Sequence, residues 1–211
     1  MTYRRLGVPC LDALIGAGVF YGAAGPEAQA MSGEEVYVVG GANSAGQAAL
    51  HLARHARRVT LLVRGSSLAA TMSDYLVREI DAAANVSVRH HTEAVDGGGE
   101  GRLTHLVLRN RTSADTETVP AAGLFVLIGA EPHTEWLPEE IERDKKGYVL
   151  TDVDRRITGS STDAAVRLFE TSLAGVFAVG DVRHGSVKRV ASSVGEGAVA
   201  IRQVHDYLSG G

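Results

Sequence analysis

The sequence holds one cysteine, Cys10, among its 211 residues. A single thiol closes no internal disulfide and makes no Cys-x-x-Cys pair. Thiol–disulfide exchange needs an attacking thiolate and a second sulfur, so this chain has no redox relay of its own. Long apolar runs are also missing. None reaches the roughly 20 residues that span a bilayer, and the start, Met1-Thr2-Tyr3-Arg4-Arg5, lacks the apolar stretch of a secretion signal. The expected location is cytoplasmic, with no membrane partner. Neither sign of charge dominates: 21 basic against 25 acidic residues leave a formal charge of −4, which argues against nucleic acid as a general partner. The eight histidines are scattered, and His90-His91 has no cysteine or carboxylate at ligand spacing, so no metal is expected. No Ser-His-Asp set follows from residue order, and no catalytic side chain is assigned.

What the chain does have is glycine, 25 residues of it, and short β-branched runs that stop at glycine. The clearest is Val36-Tyr37-Val38-Val39 followed by Gly40-Gly41-Ala42-Asn43-Ser44-Ala45-Gly46. A helical period opens at once, with Ala45, Ala48, Ala49, Leu52, Ala53 and Ala56 on one face. Strand, tight turn and helix form the context in which a glycine loop binds a dinucleotide pyrophosphate, because the helix N-terminus presents unpaired N–H groups and the positive end of its dipole. Gly40 takes the first glycine place of G-x-G-x-x-G/A and Ala45 the last, while Ala42 stands where the middle glycine normally lets the backbone approach its ligand. The competing reading is an ordinary strand–helix turn.

An absence then bears on the nucleotide. In an NAD site an acidic residue about 20 positions beyond the glycines binds the ribose 2′-hydroxyl. No Asp or Glu occurs from Val36 through Ser73, and the residue ending the second strand, Val59–Val63, is Arg64. A guanidinium fork suits a phosphate, so NADP is preferred over NAD; otherwise Arg64 is a solvated strand-end charge.

Beyond Arg64, a helix from Ser73-Asp74 to about Ala84, a strand at Val86–His90, a turn at Gly97–Gly101, hairpin strands at Leu103–Leu108 and Thr116–Val119 and a last strand at Leu124–Ile128 complete an α/β pattern. The expected fold is a Rossmann-like three-layer nucleotide-binding domain, 25–132, with a β-hairpin layer inserted before its last parallel strand. Residues 1–24 have no helical period and are expected to be extended connectors. Toward the C-terminus, strands are expected at Gly147–Thr151 and Gly175–Val179, with a helix from Arg189 to Leu208. Gly180-Asp181 puts a carboxylate at a strand end, either a ligand position or a turn with a helix-capping Asp. Gly195 and Gly197 weaken the last helix, which points to backbone that must come close to something. The mixed run Glu139–Lys146 reads as a surface segment, and Trp136 as a packing residue.

Taken together, Tyr3-Arg4-Arg5-Leu6-Gly7-Val8-Pro9, the Gly40–Ala45 loop, Gly129-Ala130-Glu131-Pro132 and Gly175-Val176-Phe177-Ala178-Val179-Gly180-Asp181-Val182 resemble the motifs of the low-molecular-weight thioredoxin reductases, from about Tyr3 to Leu208. The resemblance implies an oxidoreductase with two cofactors. Gly40, Gly41, Ala42, Asn43, Ser44 and Ala45 would face the NADPH pyrophosphate, with Gly129 at the end of the last strand of that domain. Gly180 and Asp181 would face FAD, and Lys188, Arg189 and Val190 match the segment lying along the flavin ring. Only Arg64 survives of the family's 2′-phosphate arginines, so NAD stays open beside NADP; Ala69 fills the downstream place, and Ser66 and Ser67 could add hydrogen bonds.

Two departures separate this chain from the family pattern. Gly22 and Gly25 occupy the places of the redox cysteines, which resembles the cysteine-less, thioredoxin-reductase-like branch. The family's first FAD-binding segment, with its own glycine loop, has no counterpart before Tyr3. Residues 133–211 are therefore expected to be the C-terminal part of a partial FAD-type Rossmann domain, with 1–24 its remnant, and FAD binding by this chain alone to be weak or absent. The implied activity passes hydride from NAD(P)H to flavin and on to a small-molecule or protein acceptor. The alternatives are a ferredoxin- or flavodoxin-NADP reductase-like enzyme and a non-catalytic nucleotide-binding module. The family is commonly homodimeric.

Overall fold

The computed structural model describes residues 2–23, 25–157, 167–188 and 190–210. They divide into two compact units, one of residues 3–129 and the other of Thr2 with the described residues from Ala130 onward. In chain order the first unit carries Tyr3 of the two-residue strand β1 (Thr2–Tyr3), then α1 (Pro9–Asp12), β2 (Val19–Tyr21), α2 (Gly25–Ala30), β3 (Glu35–Val39), α3 (Asn43–Leu52), β4 (Arg58–Val63), α4 (Asp74–Ala82), β5 (Val86–His90), β6 (Thr92–Gly98), β7 (His105–Asn110), β8 (Thr116–Pro120) and β9 (Gly123–Val126).

Five strands form a wholly parallel sheet in the order β2-β9-β3-β4-β5. Strands buried on both faces read as unbroken apolar runs, which is why Val36–Val39 and Val59–Val63 were visible in the sequence. Successive residues point to opposite faces. Val36, Val38, Leu61, Val63 and Phe125 face Ala45, Ala49 and Leu52 of α3 and Leu76 and Ile80 of α4. Tyr37, Val39, Leu62, Leu124 and Val126 face Leu103, Leu106 and Leu108. The second cluster lies under the antiparallel sheet β6-β7-β8. Helices, parallel sheet and antiparallel sheet therefore make three layers, as expected for the nucleotide-binding fold class.

Two details differ from the sequence expectation. Val19–Tyr21, read as connector, pairs with Leu124–Val126 as a fifth parallel strand; three residues are too few to display a period, and the pairing is supplied by a strand a hundred residues away. Gly97-Gly98, read as turn, belongs to β6. The actual turn begins at Gly99, where a Cβ would lie 2.0 Å from the Arg102 carbonyl oxygen.

The second unit has little regular structure among its described residues: β10 (Ala130–Glu131), α5 (Asp152–Ile157), a 3-10 turn at Gly180–Val182 and α6 (Val190–Leu208). The strands expected at Gly147–Thr151 and Gly175–Val179 appear as isolated bridges, Arg143 with Val149, Val149 with Arg183 and Glu170 with Phe177. An extended run becomes a strand only when a ladder of partners lies beside it. Ile141, Val149 and Ala178 are the buried centre of this unit, so Glu139–Lys146 wraps part of a core. Trp136 is 78% exposed and donates its ring N–H to the His133 carbonyl at 3.0 Å; the expected packing role is not found.

Candidate functional site

The β3–α3 turn is built by steric necessity. Gly40 has φ +144, and a Cβ there would lie 2.5 Å from the Leu127 carbonyl oxygen and 2.9 Å from Ala45 Cβ. Only glycine lets β3 turn into α3 while β9 runs alongside. Ala42 then caps α3 in an extended conformation without a side-chain bond, and its carbonyl accepts the N–H groups of Ala45 at 2.9 Å and Gly46 at 3.1 Å. Asn43 and Ser44, both exposed, precede those first bonds, so their N–H groups are the unbonded donors of a helix start. Ala45 is fully buried.

Two side chains brace the turn. Thr71 Oγ1 donates to the Gly41 carbonyl at 2.7 Å. Asn43 receives the Ser73 N–H on Oδ1 at 2.8 Å and donates from Nδ2 to Ser73 Oγ at 3.0 Å. Asn43 is thus already engaged, as the link between the starts of α3 and α4. At about 0.5–1.5 kcal/mol per hydrogen bond, Asn43→Ala is expected to cost about 1–2 kcal/mol in denaturant unfolding, with no loss of secondary structure by circular dichroism.

At the end of β4 the chain leaves the core abruptly. Val63 is buried, whereas Arg64, Gly65, Ser66 and Ser67 are exposed. Among the described residues no side chain pairs with the Arg64 guanidinium. The fold adds a residue that sequence spacing did not reveal: Arg111 Nη1 donates to the Arg64 carbonyl at 3.4 Å, across 47 positions. Gly129, with φ +94, is exposed after β9, and a Cβ there would meet nothing within 4 Å.

In the second unit, Gly180 has φ +72, and a Cβ would come within 3.1 Å of Ser193 Oγ. Its N–H donates to Glu196 Oε2 at 2.7 Å, and Arg183 donates to the same carboxylate at 3.2 and 2.7 Å. The Arg183 bonds, with the Gly180 N–H adding to them, hold the Glu196 carboxyl below its ordinary value. Lys188 donates to the Asp181 carbonyl at 2.9 Å and lies 4.2 Å from the Tyr148 ring centre. Partial desolvation lowers the Lys188 pKa, and Asp181 opposes the shift. Asp181, Lys188, Val190, Ser193 and Val194 line a groove of about 380 Å³. Val190 is 84% exposed, and Arg189 lies outside the described residues. Gly195 and Gly197 meet nothing within 4 Å where a Cβ would be. Glu196 and Arg183 were missed at the sequence level; the only signal was a carboxylate between two helix glycines.

Comparison with known proteins brings both units under one description. The model of the pyridine nucleotide-disulphide oxidoreductases matches residues 4–197. The chain is 31% identical over 207 residues to a thioredoxin reductase of Streptomyces clavuligerus, covering 98% of this chain and 59% of that protein. It is 34% identical over 208 residues to an alkyl hydroperoxide reductase of Pseudomonas aeruginosa, covering 98% of this chain and 36% of that protein. The solved structure of T. acidophilum thioredoxin reductase superposes with a TM-score of 0.77 at 25% identity, covering 99% of this chain and 63% of the other. The chain thus spans about three fifths or less of the relatives it matches. Among the described residues, no helix is long and apolar enough to cross a membrane, and no three His, Cys, Asp or Glu residues gather as a metal cluster.

Proposed function

The chain belongs to the pyridine nucleotide-disulphide oxidoreductases, and from that membership we propose that residues 3–129 bind NADPH and that the segment from Ala130 holds part of an FAD site. The observation that carries the first half is the β3–α3 turn, where glycine is forced at position 40 and the leading N–H groups of α3 lack intrahelical bonds. Gly40, Gly41, Ala42, Asn43, Ser44 and Ala45 would cradle the pyrophosphate, Arg64 the 2′-phosphate, and Gly129 would leave backbone accessible beside them. With no acid from Val36 through Ser73 to repel it, the phosphate favours NADP over NAD. Asn43 acts through its backbone here, because its side chain bonds Ser73.

For FAD, the turn at Gly180-Asp181 and the groove beside Lys188 and Val190 fit the end of a bound cofactor, with Arg189 next in the chain. Two helix glycines with open space over them support a close approach by something other than this chain's own side chains. When both cofactors are bound, they supply hydride transfer from nicotinamide to flavin. The protein's part is to hold the Gly180 loop through Glu196 and to offer the ammonium of Lys188.

With Cys10 the only thiol, and glycine at 22 and 25, electrons would leave the flavin for the acceptor directly. That feature also favours, as a second reading, the ferredoxin- or flavodoxin-NADP reductase type of activity. Calorimetric titration of the 211-residue chain tests the nucleotide half. NADPH is expected to bind in the micromolar to millimolar range usual for such substrates and more tightly than NADH; binding of neither would end the proposal. The full-length protein is expected to be yellow and to oxidise NADPH with an artificial acceptor. A ferredoxin or flavodoxin accepting electrons from it would select the second reading.

A further inference from the structure

We propose that Arg111 is a second guanidinium for the phosphate at the β4 end, so that a 2′-phosphorylated nucleotide is selected by two arginines from different layers of the fold. The proposal rests on the nucleotide reading of the β3–α3 turn. Arg111 follows β7, on the turn that leads into β8, far from Arg64 in sequence. Three bonds nevertheless stitch it to the β4 loop. Its N–H donates to the His91 carbonyl at 2.7 Å, the His91 N–H donates to the Gly65 carbonyl at 3.2 Å, and Arg111 Nη1 donates to the Arg64 carbonyl at 3.4 Å. The 64–67 loop is thus bordered by a guanidinium from the antiparallel sheet as well as by its own.

Gathering like charge at one strand end is unfavourable unless an anion joins it. The protein supplies too little. The carboxylate at hand, Glu93, is taken by Arg109 at 2.6 and 3.1 Å, which leaves Arg111 a single contact at 3.5 Å. Glu117 is engaged by Arg89 at 2.8 Å. Three arginines, 64, 109 and 111, therefore share one carboxylate. Arg111 Nη2 has no partner among the described residues, and the side chain is 48% exposed. Two forks with free N–H groups, beside the exposed hydroxyls of Ser66 and Ser67, form a setting for a phosphate dianion, which guanidinium groups bind through paired hydrogen bonds. A ribose 2′-hydroxyl offers neither the charge nor the acceptors to use it.

The test is calorimetric titration of the wild-type chain and of Arg111→Ala, Arg111→Lys and Glu93→Gln with NADPH, NADH and 2′,5′-ADP. Arg111→Ala is expected to weaken NADPH and 2′,5′-ADP about tenfold, the usual scale for one charge-assisted hydrogen bond, and to leave NADH unchanged. Arg111→Lys keeps charge but loses the fork and should fall between. Glu93→Gln unmasks Arg111 and should tighten NADPH without touching NADH, an effect that a merely destabilised protein does not produce. Raising salt should cost the wild type more NADPH affinity than Arg111→Ala. Wild-type binding of NADPH with the same affinity in Arg111→Ala overturns the role of Arg111 alone. Equal losses of NADPH and NADH overturn it too, because they mark a structural role. A wild-type chain that binds none of the three ligands overturns the nucleotide reading and this proposal with it.

Discussion

Gly40→Ala is expected to destabilise the 3–129 unit by about 4 kcal/mol, combining backbone strain and overpacking of roughly 1–3 kcal/mol each, and to abolish nucleotide binding. The reason is the combination of two constraints. At φ +144 an L side chain is strained wherever it stands, and here the added methyl would also meet the Leu127 carbonyl oxygen at 2.5 Å, a backbone atom of the neighbouring strand. Relief requires β3 and β9 to part or α3 to tilt, and either movement displaces the N–H groups of Asn43 and Ser44. The adjacent glycine is the control. A Cβ on Gly41 would come within 3.1 Å of Val63 Cγ1, a single methyl at the sheet edge, so Gly41→Ala is expected to cost about 1 kcal/mol, the low end of overpacking. Peptide-resolved hydrogen exchange measures both. Faster exchange across 36–52 in Gly40→Ala with little change in Gly41→Ala is the expected result, and equal behaviour of the two variants would contradict the steric argument.

Glu196→Ala is expected to cost the second unit about 3 kcal/mol, the lower end of the range for breaking a largely buried ion pair. The carboxylate and its Arg183 partner are 13% and 16% exposed. Removing it strips the Gly180 N–H of its acceptor and leaves the Arg183 guanidinium with the His184 carbonyl at 2.9 Å and the face of Phe169 at 5.1 Å. The same pair sets a pH dependence. The folded state lowers the Glu196 carboxyl from its ordinary 4.5, chiefly through the Arg183 bonds, so the unfolded chain binds the proton first as pH falls. The stabilisation is complete above the unfolded value and is lost as pH drops from about 4.5 through the folded value. Glu196→Gln, which keeps the shape without the charge, should lose that acid-limb dependence. Hydrogen exchange over 176–196 at pH 7 and pH 4 checks both variants; an unchanged acid limb in Glu196→Gln would show that the pair is not its source.

The three-layer domain was legible because its parallel strands are buried on both faces and end in glycine, a pattern that survives in one dimension. Val36–Val39, Val59–Val63 and Val86–His90 all appear as strands where the apolar runs lie. The strand at 19–21 was not legible, since its identity depends on Leu124–Val126 beside it. The stretches at 147–151 and 175–179 failed for the converse reason: apolar, β-favouring sequence without a ladder remains loop.

The sequence by itself determined the family, the fold class, the glycine turn at the head of α3 and the absence of a cysteine pair. Each is a matter of residue type and short spacing, where chain connectivity fixes what is near what. Only the tertiary structure decided why residue 40 must be glycine, which carboxylate holds the Gly180 loop, and that Arg111 stands at the carbonyl of Arg64. Those depend on a carbonyl from the end of β9, a carboxylate one helical segment further on and a turn 47 positions distant. Contacts of that kind arise from packing layers against one another, and no local pattern in the chain encodes them.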